Sequence, residues 1–341
     1  MKLIIFAFFL SLLCIACEIA EPNPDAYPMH DPDPSKFYPN QTILDTIFAI
    51  TIAFDNEGTA WIGTLNQGLV KYGLTQTKIF DSINSPIMNT AIWDIEVDSK
   101  NNVWIGTNGL VKYDGEDFTL YNTSNSKIPE DIVWSIAIDS NDDVWVASSR
   151  HREGGIARFD GNGFEVYTPD NSPLPANGAH CIAIDRKDNI WVAITEYVNS
   201  TYLVKISGKS WTVFDSIDFE RELYWVRNID INSQGQVFGV IDYSLSSAWF
   251  NTPHVFSFDG VETEVMEFDN LPRGFRTIMI DHNDNLWCTY DIGFAYYNGD
   301  EWVRTDTEIQ GKNSIFTIEQ SRDGNIWIGK GEGIEIRSGS Y

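Results

Sequence analysis

The sequence predicts an all-β fold: a seven-bladed β-propeller of four-stranded blades, closed by an N-terminal strand that completes the last blade. Three observations carry this. An aromatic anchor recurs at Trp61, Trp104, Trp145, Trp191, Phe238, Trp287 and Trp327, at intervals of 43, 41, 46, 47, 49 and 40 residues. Nine positions before each anchor stands an isoleucine: Ile52, Ile95, Ile136, Ile182, Ile229, Ile278 and Ile318. Six before it stands a turn-forming polar residue: Asp55, Asp98, Asp139, Asp185, Asn232, Asp281 and Ser321. A repeat of about 40–45 residues built from four short strands is one propeller blade.

At the N-terminus, Met1-Lys2 precedes an apolar run from Leu3 to Ala16, and Cys17 follows. A basic start, a short apolar core and a small residue before the cut mark a secretory signal. The run is too short for a spanning helix, which needs about 20 residues. Leu13-Cys14-Ile15-Ala16-Cys17 resembles the bacterial lipobox, which implies lipidation at Cys17 and membrane attachment through that anchor alone. Residues 1–16 are therefore expected to be a lipoprotein signal peptide, and residues 17–35 an acidic, proline-bearing tether that cannot bury a core. The propeller is expected over residues 36–341, at the cell envelope, as an outer-membrane lipoprotein on the periplasmic or the surface side.

Within one repeat, Trp134-Ser135-Ile136-Ala137-Ile138 alternates with the period of a strand. Asp139-Ser140-Asn141-Asp142-Asp143 turns the chain, because Asp and Asn side chains bond their own backbone two residues on. Strands such as Trp104-Ile105-Gly106-Thr107 and Gly109-Leu110-Val111-Lys112-Tyr113 follow, then an Asp114-Gly115 hairpin signal and an aromatic outer strand, Phe118 to Tyr121. The Asp-rich turns mimic the start of a calcium loop. They lack its glycine at the sixth position and its glutamate at the twelfth, so they read as structural and no metal site is expected.

The last repeat, ending Gly333-Ile334-Glu335-Ile336-Arg337, has room for only three strands. In most blades an outer-strand apolar residue lies thirteen positions before the mouth residue of the next inner strand, as Phe80 lies before Trp93. The same count back from Ile50 reaches Phe37, so Lys36-Phe37-Tyr38 is expected to supply the missing strand. Joining the two chain ends in one sheet removes the open edges that invite aggregation.

The net charge of −26 repels phosphates and argues against a nucleic-acid partner. Cys181 and Cys288 sit in strand-like apolar stretches and read as small buried hydrophobes. No Cys/His spacing suits a metal, and no phosphate loop or catalytic motif is present, so no cofactor is expected.

Asn171-Ser172-Pro173-Leu174-Pro175 leading into an Ile-x-x-Asp strand, with Trp-Ile-Gly-Thr-Asn-Gly-Leu-Val-Lys-Tyr-Asp at 104–114, resembles the two-component regulator propeller repeat. The resemblance covers nearly all of residues 36–341, and the Gly-Thr pair is lost in blades 4 and 5. It implies a propeller of the kind found in periplasmic sensor regions of Bacteroidetes-type bacteria. Because no kinase or DNA-binding segment follows Tyr341, it implies a stand-alone exported lipoprotein, monomeric in this reading.

Eleven positions before the anchors stand Ile50, Trp93, Trp134, His180, Arg227, Arg276 and Phe316, which should ring the mouth of the central funnel. Flat aromatics beside Arg and His suit a sugar, a peptide or an anion, since Arg offers fixed bidentate donors. The bland reading is that the aromatics plug the funnel and the arginines pair with acidic neighbours. Three consecutive loops between second and third strands are long and should wall one sector of the same face, with Arg150 and His151 in blade 3, Tyr197 in blade 4, and Tyr243 and Trp249 in blade 5.

The function expected is non-catalytic binding or interaction, with an unidentified glycan, peptide or envelope protein as partner. An alternative is a lyase or hydrolase using His180 with Glu196 or Asp242, with His151 and Glu153 near the same face. The streptogramin lyases share such a shape, but their local pattern is missing here and fold alone does not carry function. A structural role in an envelope assembly is a third possibility.

Overall fold

The computed structural model describes residues 41–337 apart from 74–75, 89, 151–152, 197–199, 215–222, 244–253, 267–274, 291–292, 298, 300–301 and 305–313. The expected signal, Cys17 and the tether lie outside the described residues. Among those described, 28 strands form seven four-stranded antiparallel sheets. Blade 2 is representative: Asp94–Val97, Val103–Thr107, Gly109–Tyr113 and Phe118–Tyr121 pair in sequence order.

The repeated Asp and aromatic are one device. Asp98 ends the inner strand, and its Oδ1 accepts the backbone N–H of Lys100 and of Asn102, shaping the turn. Its Oδ2 accepts the indole N–H of Trp104 at 3.1 Å. The same bond joins Trp61 to Asp55, Trp145 to Asp139, Trp191 to Asp185 and Trp287 to Asp281. In blade 7 Ser321 takes the turn position and donates to Asp323. In these five blades the buried tryptophan faces an apolar neighbour while its one polar group stays bonded, which is what burial of an indole requires.

The core lies between blades. Trp61, Leu69 and Phe80 of blade 1 pack with Ile95, Val103 and Ile105 of blade 2, and comparable clusters fill the other junctions. The turns on the far face are also laced together. Asn56 donates to Asn101, Ser99 to Asp142, Ser140 to Asp188 and Ser233 to Asp284. The four acceptors have φ of 64°, 63°, 56° and 65°, a left-handed backbone that Asn and Asp tolerate best.

The ring closes as expected, with an N-terminal strand in the last blade. Gln41–Ile43 is the fourth strand of blade 7, pairing Gln41 with Ile336 and Ile43 with Ile334. Lys36-Phe37-Tyr38, expected to supply this strand, lie outside the described residues. A compact turn leads from the closing strand to blade 1: Leu44 has φ 52°, the Ile47 amide donates to the Leu44 carbonyl, and the Gly333 amide donates to the Ile47 carbonyl. Beside this strand, Lys330 and Arg337 both bond Glu335, and all three are buried. The Arg337 guanidinium lies 4.7 Å from the Phe294 ring centroid, tying blade 7 to blade 6.

Candidate functional site: the mouth of the central channel

Each inner strand starts at the mouth and runs down the wall of a central channel of about 1410 Å³. The six residues expected at the mouth, Trp93, Trp134, His180, Arg227, Arg276 and Phe316, all line it. Their grouping is uneven. Trp93 and Trp134 lie in contact, with ring centroids 4.7 Å apart, and Trp134 meets His180 edge-on at 6.0 Å. Across the ring Phe316 packs on Phe48 at 4.6 Å, and the Arg276 guanidinium lies 5.4 Å from the Phe316 centroid. Arg276 also donates to Ser314 at 3.2 Å. An aromatic crescent therefore spans blades 7, 1, 2, 3 and 4, and two arginines occupy blades 5 and 6.

Trp134 is held by its indole N–H, which donates to the Ser149 carbonyl at 2.8 Å. The Ser149 hydroxyl lies 3.2 Å from His180 Nδ1. Burial pushes the His180 imidazole down to about 4, so the ring is neutral near neutral pH and acts as an aromatic wall rather than a cation. Trp93 is 39% exposed, an unusual state for so large an apolar ring, and Arg227 is exposed elsewhere on the same mouth.

Two of the three long connections, those of blades 3 and 4, are described in large part and form hairpins there, and residues 244–253 of the blade 5 loop lie outside the described residues. In blade 3 the extra residues extend both strands, Val144–Arg150 and Glu153–Phe159, with Ser149 opposite Gly154 and Arg150 opposite Glu153. In blade 4, Ile190–Glu196 and Ser200–Ser207 extend likewise, with Thr195 opposite Thr201. A taller hairpin buries its backbone groups in ladder bonds, which a free loop could not do. The blade 3 hairpin needs glycine: Gly154 has φ 126°, and a Cβ there would lie 2.1 Å from the Ser148 carbonyl oxygen. Arg150 stands exposed at the tip of this hairpin. His151, Tyr197 and Trp249 lie outside the described residues. So do the side chains of Glu196, Asp242 and Tyr243, although their backbones belong to strands.

Two features of the channel were not read from the sequence. Phe48, two residues before the mouth position of blade 1, completes the crescent. Deeper, the position eight before the anchor is Ala53, Ala137, Ala183 or Met279 in four blades, but Glu96, Asp230 and Glu319 in blades 2, 5 and 7, and all of these line the channel. Asp94 stands two residues above Glu96 on the same strand face. Asp94 accepts the Ile136 amide of blade 3 at 2.7 Å, and Asp230 accepts the Ile280 amide of blade 6 at 2.7 Å. These carboxyls cap backbone donors on the inner edge of the neighbouring sheet. Burial raises Asp94 and Asp230 to about 6, and burial with repulsion from Asp230 raises Glu319 to about 8. Glu96 is raised well above its ordinary value by burial and then by Asp94, Glu319 and Asp230. A signal was available: acidic residues interrupt an otherwise apolar, aligned column.

Residues 86–109 match the two component regulator propeller family. No curated protein matches the chain. Among solved structures, the extracellular domain of the hybrid two component system BT3049 from B. thetaiotaomicron is 19% identical with a TM-score of 0.66, and the match covers 88% of this chain. This chain spans only 41% of that domain. A streptogramin B lyase is 16% identical with a TM-score of 0.65, covering 89% of this chain and 97% of that one. PorZ, a surface component of the type-IX secretion system of Porphyromonas gingivalis, is 15% identical with a TM-score of 0.60, covering 85% of this chain and 46% of that one. At these identities the likeness is one of fold. The chain is thus a seven-bladed propeller that carries, at residues 86–109, a repeat similar to the two component regulator propeller.

Proposed function

We propose that the protein is a non-catalytic binding protein of the cell envelope that captures a glycan or peptide at the channel mouth. The observation that carries this is the division of the mouth: an aromatic crescent with an exposed Trp93 on one side, Arg227 and Arg276 on the other. Aromatic faces take the flat side of a sugar or an apolar side chain, and arginine orients a carboxylate or similar anion. The taller hairpins of blades 3 and 4 raise one side of this mouth. The envelope location is supported by the signal-like N-terminus with Cys17 and by the likeness to an extracellular regulator domain and to PorZ.

The test is binding of a defined panel of neutral and uronate-bearing oligosaccharides and of short peptides, measured calorimetrically. Trp93→Ala and Arg227→Ala should each weaken the bound member about tenfold, the loss of roughly one well-placed contact. Unchanged binding by both variants would overturn the site. Consumption of a panel member would replace it with the enzymatic reading.

A further inference from the structure

Glu96, Asp230 and Glu319 lie three residues below the mouth positions of blades 2, 5 and 7, with Asp94 just above Glu96, and none of the four joins an ion pair among the described residues. Arg227 and Arg276 lie above them at the mouth. At the far end Arg322 reaches the turn residue Asn56. On the walls between, His180 is neutral, and Cys181 keeps its proton and donates to the Val226 and Arg227 carbonyls. The four acidic groups therefore face one another across an enclosed channel, with their compensating cations at its two ends.

We propose that this carboxyl tier makes capture at the mouth proton-linked: when protonated it leaves Arg227 and Arg276 attractive to an anionic group, and when ionised it cancels them. The proposal rests on the mouth being the binding site and adds the ligand's class, a molecule with an anionic group beside a flat ring face. The distance is short enough. Three residues of strand span about 10 Å, close to one Debye length at moderate salt, and the channel wall screens less than water. Burial, joined at Glu319 by repulsion from Asp230, places the ionisation of the tier across the neutral range. Anion affinity should thus fall as pH rises.

The probe is iodide, an anion that quenches indole fluorescence, read on the part of the signal that Trp93→Phe removes. At fixed ionic strength, the iodide quenching constant should be about twofold larger near pH 5.5 than near pH 8.5, the effect of about two added charges at that distance. Neutral acrylamide should quench Trp93 equally at both pH values. In a Glu96→Gln/Glu319→Gln variant, the iodide constant near pH 8.5 should rise part of the way to the low-pH value, since Asp94 and Asp230 still ionise. Equal iodide constants in the native protein overturn the proposal without use of any variant, and so does a variant that keeps the full drop. If the iodide drop is present but Trp93→Ala and Arg227→Ala bind the ligand normally, the mouth reading fails and the proton linkage of capture fails with it.

Discussion

Trp104 donates its indole hydrogen to Asp98, six residues earlier, across 3.1 Å. This pairing unites two columns of the repeat that otherwise look independent. The carboxylate bonds Lys100 N–H, Asn102 N–H and the Asn102 amide as well, so one buried side chain holds the turn and the anchor together. Asp98→Ala leaves several buried donors unpaired and should cost about 3 kcal/mol of stability, read by denaturant unfolding. Asp98→Asn keeps one acceptor oxygen and should cost less. Equal losses would mean that the Oδ2 bonds to Trp104 and the Asn102 amide, and not the turn bonds to Oδ1, carry the effect.

Ring closure depends on three short pairings of Gln41–Ile43 with blade 7 and on the buried Lys330–Glu335–Arg337 cluster behind them. Glu335→Ala strands two buried cations and should destabilise the fold by about 4 kcal/mol. Hydrogen exchange should locate the damage first in blade 7 and the closing strand. Uniform loss of protection over all seven blades would contradict this.

Gly154→Ala should strain the blade 3 hairpin, since φ there is 126° and the added carbon meets the Ser148 carbonyl oxygen. The expected cost is about 2 kcal/mol, the scale of a left-handed backbone with a clash. Ser149, which positions Trp134 and His180, lies directly opposite Gly154, so ligand affinity should fall with stability. Gly161→Ala is the control: its φ is 88°, and nothing lies within 4 Å of a Cβ there.

Stability should decline between about pH 6.5 and pH 8.5. Glu319 titrates near 8 in the fold but near 4.5 when unfolded, and Glu96 is also raised, so the folded state holds more protons in that window and loses stability as pH rises through it. His180 works in the opposite direction at lower pH. Its folded value of about 4 lies below its unfolded 6.5, so its cost appears only as pH falls through that interval. Melting temperatures of Glu319→Gln should decline less over the upper window than those of the native protein. A parallel decline would show that Glu319 ionises normally.

Seven blades, their four strands and the Asp turns were legible in the sequence because each depends on contacts within one repeat, where spacing translates directly into register. The mouth residues were legible for the same reason: Trp93, Trp134, His180, Arg227, Arg276 and Phe316 share one register position, and register fixes the wall they face. What spacing could not settle was anything set between repeats. The turn at Leu44 and Ile47, which joins the closing strand Gln41–Ile43 to blade 1, is fixed by a bond from Gly333 of blade 7. The long connections of blades 3 and 4 are taller hairpins where they are described, because backbone groups raised above the disc pair with each other once two strands stand side by side. Above all, the sequence by itself determined that Glu96, Asp230 and Glu319 sit on inner strands, in blades 89 to 223 residues apart by their anchors, Trp104, Phe238 and Trp327 being their references. Only closure of the ring decided that they share one enclosed channel, where low dielectric and mutual repulsion change what each of them does.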